Sequence, residues 1–218
     1  MSKPPGSPIA LEQRTATDDR LHSPSAGRNR DAIAAVLADV LPPDAEVLEI
    51  GSGTGEHAVA ACRARPDIRW QPSDPDPASR ASQAAWASEA DGAIRPPLAI
   101  DLLDPQTVAD LPPFDALVCM NVIHISPWGV AEALAALAGR ALRPGGCVML
   151  YGPFMEGEAT APSNRQFDAS LKARNPAWGV RALDDVVALM AGHGLALNQQ
   201  IAMPANNLSL IFKPSEPR

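Results

Sequence analysis

No stretch of this 218-residue chain is apolar for the ~18 residues that a membrane helix needs. Its opening residues, MSKPPGSPIALEQRTATDDR, also lack the apolar centre of a signal peptide. Zinc spacing is missing as well: Cys62, Cys119 and Cys147 lie far apart with no C-x-x-C pair, and the histidines do not gather around them. They read as buried, reduced thiols, and no metal is expected. Positive charge is in deficit. With 18 Lys+Arg against 25 Asp+Glu the net charge is −7, so the whole chain has no field that would draw it to nucleic acid. Aromatics reach only 4%, so the 46% hydrophobic content rests largely on alanine, which favours helices. No internal repeat and no second domain are visible. The expectation is one cytoplasmic domain with no membrane or nucleic-acid partner.

Residues 1–22 are polar, proline-rich and aperiodic, and read as a flexible tail. Residues 23–218 read as a single domain. Ser23 is a candidate N-cap with Pro24 at the first helical position. Ile33, Val36, Leu37, Val40 and Leu41 recur at helical spacing until Pro42 and Pro43. Strands and helices then alternate. EVLEI is a strand and residues 54–64 a helix. IRWQPS is a second strand, followed by a helix capped by Asp76, opened by Pro77 and running to about Ala90. PLAI is a third strand, and Asp104-Pro105 starts another helix through QTVADL. FDALVCMNVI is a long apolar strand, WGVAEALAALAGRAL a helix and GCVMLYGPF a fifth strand. Near-continuous apolar strands alternating with helices indicate a parallel sheet covered on both faces.

The end of the chain breaks that rhythm. After the helix LDDVVALMAGHG, closed by Gly194, the strands LALNQQIAM and NLSLIFK are separated only by Pro204, Ala205 and Asn206. Three residues cannot carry a parallel crossover, so the two strands form an antiparallel hairpin. The expected fold is an α/β, Rossmann-like seven-stranded sheet, mostly parallel with one antiparallel strand, as in class I methyltransferases.

In VLEIGSGTGEH, Gly51, Gly53 and Gly55 make G-x-G-x-G around Ser52. A dinucleotide fingerprint needs its third glycine at position 56, where Glu56 stands instead, and a carboxylate there opposes a pyrophosphate at a helix start. S-adenosyl-L-methionine (SAM) has no phosphate. Its carboxylate suits loop amides, while its amine and ribose hydroxyls want acceptors such as Glu49. Asp74 closes the second strand, where an acid accepts from ribose hydroxyls; NAD needs the same, so Asp74 alone does not discriminate. Asp101 closes the third strand, placed for an adenine amino group with Leu102 against the ring. Helix caps or solvated loop acids are the competing reading of Asp74 and Asp101. Three carboxylates at successive strand ends beside the glycine loop form the specific constellation.

With these motifs the chain resembles a class I SAM-dependent methyltransferase, and Pro144-Gly145-Gly146 before the fifth strand is a frequent turn in that superfamily. AGRNRDAI, WQPSD, NVIHISPW, YGPF, SNRQFDASLKARNPAWGVR and MPANNLSLIFK resemble the methyltransferase-like 26 family, a domain-of-unknown-function family, over residues 23–213. The resemblance implies SAM as cofactor, S-adenosyl-L-homocysteine as product, and Glu49, Gly51, Gly53, Gly55, Asp74 and Asp101 as cofactor positions. It does not supply the acceptor.

Ligands of such sheets sit outside the carboxyl ends of the strands. Residues 121–124 and 151–154, with Asn206 and Asn207, therefore surround one opening, and Asn121 is assigned to the cofactor. His124 is the candidate general base, with a loop-bonding histidine the competitor. Tyr151 orients acceptor or cofactor, or is an ordinary strand-end tyrosine. Asn206 and Asn207 face substrate or simply make the hairpin turn. Residues 155–180 read as a lid-like insertion, with Ser163 capping a helix and Asn164, Phe167 and Asp168 facing inward. Arg28 and Asn29 cover the cofactor from the other side, or only mark an exposed helix start.

Asn/Asp-Pro-Pro-aromatic, frequent in enzymes that methylate base amines, is absent; NVIH stands there. The expectation is a SAM-dependent methyltransferase acting on a small-molecule acceptor. A SAM-binding regulatory module without catalysis is the alternative, and an NAD(P)-dependent oxidoreductase a more distant one.

Overall fold

The structure, a computed structural model, describes residues 14–215. A short hairpin, β1 (Thr15–Thr17) and β2 (Arg20–His22), precedes α1 (Pro24–Val40). Next come β3 (Glu46–Ile50), α2 (Glu56–Ala64), β4 (Arg69–Ser73), α3 (Pro77–Ala87), β5 (Phe114–Met120) and α4 (Trp128–Ala141). The chain continues through β6 (Leu142–Met155), α5 (Pro162–Arg174), β7 (Arg181–Ala182), α6 (Leu183–Gly192), β8 (Leu195–Met203) and β9 (Asn207–Pro214). The seven-stranded sheet has the order β4-β3-β5-β6-β9-β8, with β7 beside the end of β6. Strands β3 to β6 are mutually parallel, and β9 runs against both β6 and β8. The terminal hairpin is therefore present, with Pro204–Asn206 between its strands.

Alternation along β5 shows how the sheet is covered. Leu117 and Cys119 enter the cluster formed with Leu134 of α4 and Val186 of α6. Ala116, Val118 and Met120 enter the opposite one, with Leu37 of α1 and Val59 of α2. Every residue of this strand is apolar on both faces except Asp115, as burial from two sides demands.

Several local expectations change. Residues 15–22 are not a free tail. Leu21 N donates to Ser82 Oγ at 2.8 Å, Trp86 Nε1 donates to the Leu21 carbonyl at 3.0 Å, and Arg20 meets Glu89 at 2.6 Å. Three-residue strands carry no readable period, which is why the pattern missed them; the rest of that segment, residues 1–13, lies outside the described residues. PLAI is not a strand but lies beside β4 through the isolated bridges Trp70↔Ile94 and Ser73↔Leu98. Pro96 and Pro97 have no N–H for a ladder, and the seventh strand is instead the two-residue β7. QTVADL forms only one 3₁₀ turn, Pro105–Val108, under the Asp104 cap.

Boundaries shift too. The second helix starts at Glu56 and the third ends at Ala87. β5 stops at Met120 because Asn121 takes φ 58°. Arg143, Pro144, Gly145 and Gly146 form a bulged start to β6 rather than a separate turn. Ala161, not Ser163, caps α5, with Pro162 at its first position. Asp76 caps α3 as expected, accepting from Ala78 N and Ser79 N.

Candidate cofactor and acceptor cavity

The carboxyl ends of β3, β4, β5 and β6, closed by α1, α5 and the β8–β9 turn, surround one cavity of about 1390 Å³. That exceeds the roughly 300–1,000 Å³ range of pockets for one drug-sized ligand, so two molecules can share it.

Its first wall is the loop after β3. Gly51 has φ +69°, and a Cβ there would lie 2.6 Å from Val122, so only glycine fits. Ser52 N donates to the Ser73 carbonyl at 2.8 Å. Asp74 holds the loop in place: one carboxylate oxygen accepts from Gly53 N and the other from Asp76 N, both at 2.9 Å. Asp74 lines the cavity, yet its first task is this turn, and burial raises its pKa against those two bonds. Gly55 does not reach the cavity. At φ +96° it lets α2 approach α3, where an added Cβ would meet Gln83 Cα at 3.0 Å.

Glu49 reaches the cavity while only 1% exposed. Desolvation lifts its pKa to about 7 although Trp70 donates to it and Ser52 stands close by, and the nearby Asp74 charge adds to the rise. Such a carboxyl lacks only a cation to be ionised, and an aliphatic ammonium meets that need. Asp101 lines the outer edge, its Oδ1 accepting from Leu103 N at 2.9 Å. Leu102 and Leu103 both line the cavity, but Leu102 is committed to the core while Leu103 is 54% exposed. Leu103 is thus the freer apolar surface beside Asp101.

The second wall gathers Arg28, Asn29, Asn121, His124, Tyr151, Asn164, Phe167 and Asn207, all foreseen. His124 packs edge-on to Phe167 at 5.8 Å, and its carbonyl accepts from Gly179 N at 3.0 Å. Burial, with Arg181 nearby, lowers its pKa to about 3, so the imidazole is neutral at physiological pH. Asn121 N donates to the Tyr151 carbonyl at 2.8 Å, tying β5 to β6 at the rim. Asn207 Nδ2 donates to the Tyr151 hydroxyl at 3.1 Å, with Asn29 close by on the same wall. Asn164 Nδ2 donates to the Asn206 carbonyl at 2.9 Å, holding α5 against the hairpin turn.

Two expectations for this wall fail. Asp168 does not line the cavity; it pairs with Lys172 at 2.7 Å and accepts from Val180 N at 2.9 Å, fixing the chain after α5. Asn206 does not either, because its amide turns outward to Ser163 Oγ at 2.9 Å. Conversely, sequence reasoning passed over His57 and Arg14. His57 Nε2 lies 2.9 Å from Asn29 Oδ1, and burial with Arg30 nearby lowers its pKa to about 4. Its place two residues after Gly55 was a legible signal. Arg14, which donates to Ser79 Oγ at 3.0 Å over the glycine loop, carried none.

Among the described residues no cluster of three or more His, Cys, Asp or Glu is arranged to hold a metal, and no helix is long and apolar enough to cross a membrane. The fold is that of SAM-dependent methyltransferases. The chain superposes on the mitomycin 7-O-methyltransferase MmcR with a TM-score of 0.72 at 16% identity, covering 88% of this chain and 54% of that one. CalO1, a methyltransferase in calicheamicin biosynthesis in its SAH-bound form, gives 0.70 at 16% identity, with 85% and 54% covered. An O-methyltransferase family protein from Burkholderia thailandensis gives 0.74 at 17% identity, with 89% and 58% covered. The chain thus spans a little over half the length of the solved structures it matches. In sequence, residues 20–214 match the family described as "Protein of unknown function (DUF938)". That match takes in nearly the whole chain, from the second strand of the amino-terminal hairpin to the end of β9, and the chain belongs to the DUF938 family.

Proposed function

We propose that this protein is a SAM-dependent methyltransferase with a small-molecule acceptor. The observation that carries the reading is the cavity itself, where Glu49, the glycine-loop amides, Asp74 and Asp101 share one wall and space for a second molecule faces the other. Neighbours of the same fold are named as methyltransferases of mitomycin and calicheamicin chemistry, both small molecules.

On this reading Glu49 accepts from the amino group of the cofactor, and that cation returns its carboxyl to the ionised form. Asp74 keeps the loop turned beside the cavity, with acceptor capacity left for ribose hydroxyls. Asp101 and Leu103 border the adenine end. The bound cofactor supplies an activated methyl group on a sulfonium. The chain's share is to align a nucleophile with that methyl and to exclude water, which Phe167, Val130 and Pro153 around the second wall serve. A dinucleotide suits the loop less well. Glu56 occupies the first turn of α2, accepting from Ser23 N at 2.8 Å and Thr54 Oγ1 at 2.9 Å, so no open cradle of amides awaits a pyrophosphate there.

Calorimetric titration with SAM, S-adenosylhomocysteine and NADH tests the proposal. Saturable binding of the two adenosyl ligands is expected; binding of NADH alone refutes it. Binding without transfer of labelled methyl to any metabolite fraction favours a regulatory module.

A further inference from the structure

We propose that the acceptor is a small carboxylic acid, held as its carboxylate against Tyr151, and that the product is its methyl ester. The inference rests on the methyltransferase reading above and concerns the second wall only.

The sheet order separates the cavity's charges. Its four lining carboxylates among the described residues, Glu49, Asp74, Asp76 and Asp101, belong to β3, β4 and the segments after β4. The half bounded by β6, β9 and α5 contributes no lining carboxylate. It presents hydroxyl and amide groups, and Arg28 and Arg174 add positive charge there, although both also interact within the chain.

Tyr151 is built to donate. Its hydroxyl has one hydrogen and two lone pairs. Asn207 directs an amide N–H at that oxygen, which fills one lone pair, and Asn29 stands near it. The Asn207 amide is not free to reverse. Asn207 Nδ2 is shared with the Pro204 carbonyl at 3.0 Å, which only a donor can satisfy. The phenol proton therefore points away from Asn207 Nδ2, and Tyr151 lines the cavity. An acceptor-only ligand group complements it, and a carboxylate is one.

The same half has no strong base. An alcohol or ammonium acceptor must lose a proton, and the two imidazoles lining the cavity, His124 and His57, are held neutral with pKa values lowered to about 3 and about 4 by burial, Arg181 and Arg30 adding to it. A carboxylate has no proton to lose. One of its oxygens accepts from Tyr151 while the other attacks. The new O–C bond forms as the methyl–sulfur bond breaks, the electron pair stays on sulfur, and the sulfonium becomes a neutral thioether.

The test uses the full chain saturated with S-adenosylhomocysteine. Monocarboxylic acids from acetate to naphthoate and their matched amides are titrated by calorimetry. At least one acid is expected to bind about tenfold tighter than its amide, the scale of one charge-assisted hydrogen bond. Tyr151→Phe should bring that ratio near one while leaving S-adenosylhomocysteine affinity unchanged, which also reports that the variant is folded. With labelled SAM and the same acids, alkali should release the label as volatile methanol. No acid outbinding its amide, a ratio unmoved by Tyr151→Phe, or label only in alkali-stable products overturns the inference. Absence of S-adenosylhomocysteine binding to the wild-type chain overturns the methyltransferase reading instead.

Discussion

Trp70 Nε1 donates to Glu49 Oε2 at 2.9 Å across two neighbouring strands, and both side chains are buried. One indole donor does not offset the loss of water, so the carboxyl titrates near 7 rather than 4.5. In the ligand-free protein it binds its proton more tightly than in the unfolded chain. Its stabilising contribution is complete below about pH 4.5 and lost as pH rises through 7. Glu49→Gln should therefore stabilise the ligand-free protein at pH 8 by at most about 3 kcal/mol, read as a higher thermal midpoint. The same change should abolish SAM binding. In the wild type, SAM affinity should fall below pH 7 with release of a proton, readable by calorimetry in buffers of different ionisation enthalpy.

The buried histidines act in the opposite sense. His57 and His124 have pKa values lowered to about 4 and 3 from 6.5, so the unfolded chain binds the extra protons first. Stability they contribute is present above pH 6.5 and lost as pH falls from there towards 4. A His57→Gln, His124→Gln variant should show a flatter fall in thermal midpoint between pH 6.5 and 4.5 than the wild type.

Asp74 fixes the glycine loop through two backbone amides, so removing it disturbs the cofactor wall twice. Asp74→Ala should weaken SAM binding at least about tenfold, since it frees two partly buried donors and, on the proposed reading, a ligand contact. Asp74→Asn keeps one acceptor oxygen but faces an N–H with an NH₂, and should recover only part of the loss. Calorimetry on both variants separates these outcomes.

Gly55 gives a contrast. Gly55→Ala forces φ +96° on a residue with a side chain and presses on Gln83 Cα, so about 1–3 kcal/mol of stability should go. SAM affinity of the folded fraction should change little, because this glycine lies outside the cavity. Denaturant melts alongside ligand titration distinguish this from a glycine that contacts the cofactor.

The fold was legible where burial imposes a pattern. The apolar run of β5 and the three-residue gap before Asn207 each admit few architectures. Legibility failed where bonds between distant segments decide. Nothing in the sequence announces that Leu21 will find Ser82 and Trp86, whereas Pro96 and Pro97, which cannot donate to a ladder, already marked PLAI as a poor strand. For the site, strand-end positions led to one cavity because the carboxyl ends of parallel strands share one edge of the sheet. Which way each side chain turns was invisible: Asp168 is drawn off by Lys172 and Asn206 by Ser163, both contacts set by where α5 packs. Assigning the third glycine to the cofactor treated G-x-G-x-G as one unit, whereas its last member serves helix packing.

Strand β9 begins at the rim, where Asn207 sits opposite Pro153, and ends beyond Phe212, opposite Val148 at the far edge of the sheet. Arg14, near the other end of the chain, lies on the cavity wall. The two ends of the described residues are consequently unequal as attachment points. A reporter joined directly at residue 14 stands beside the mouth, where it perturbs ligand access. One after β9 leaves from the opposite pole, which is where labels and surface tethers for binding assays belong.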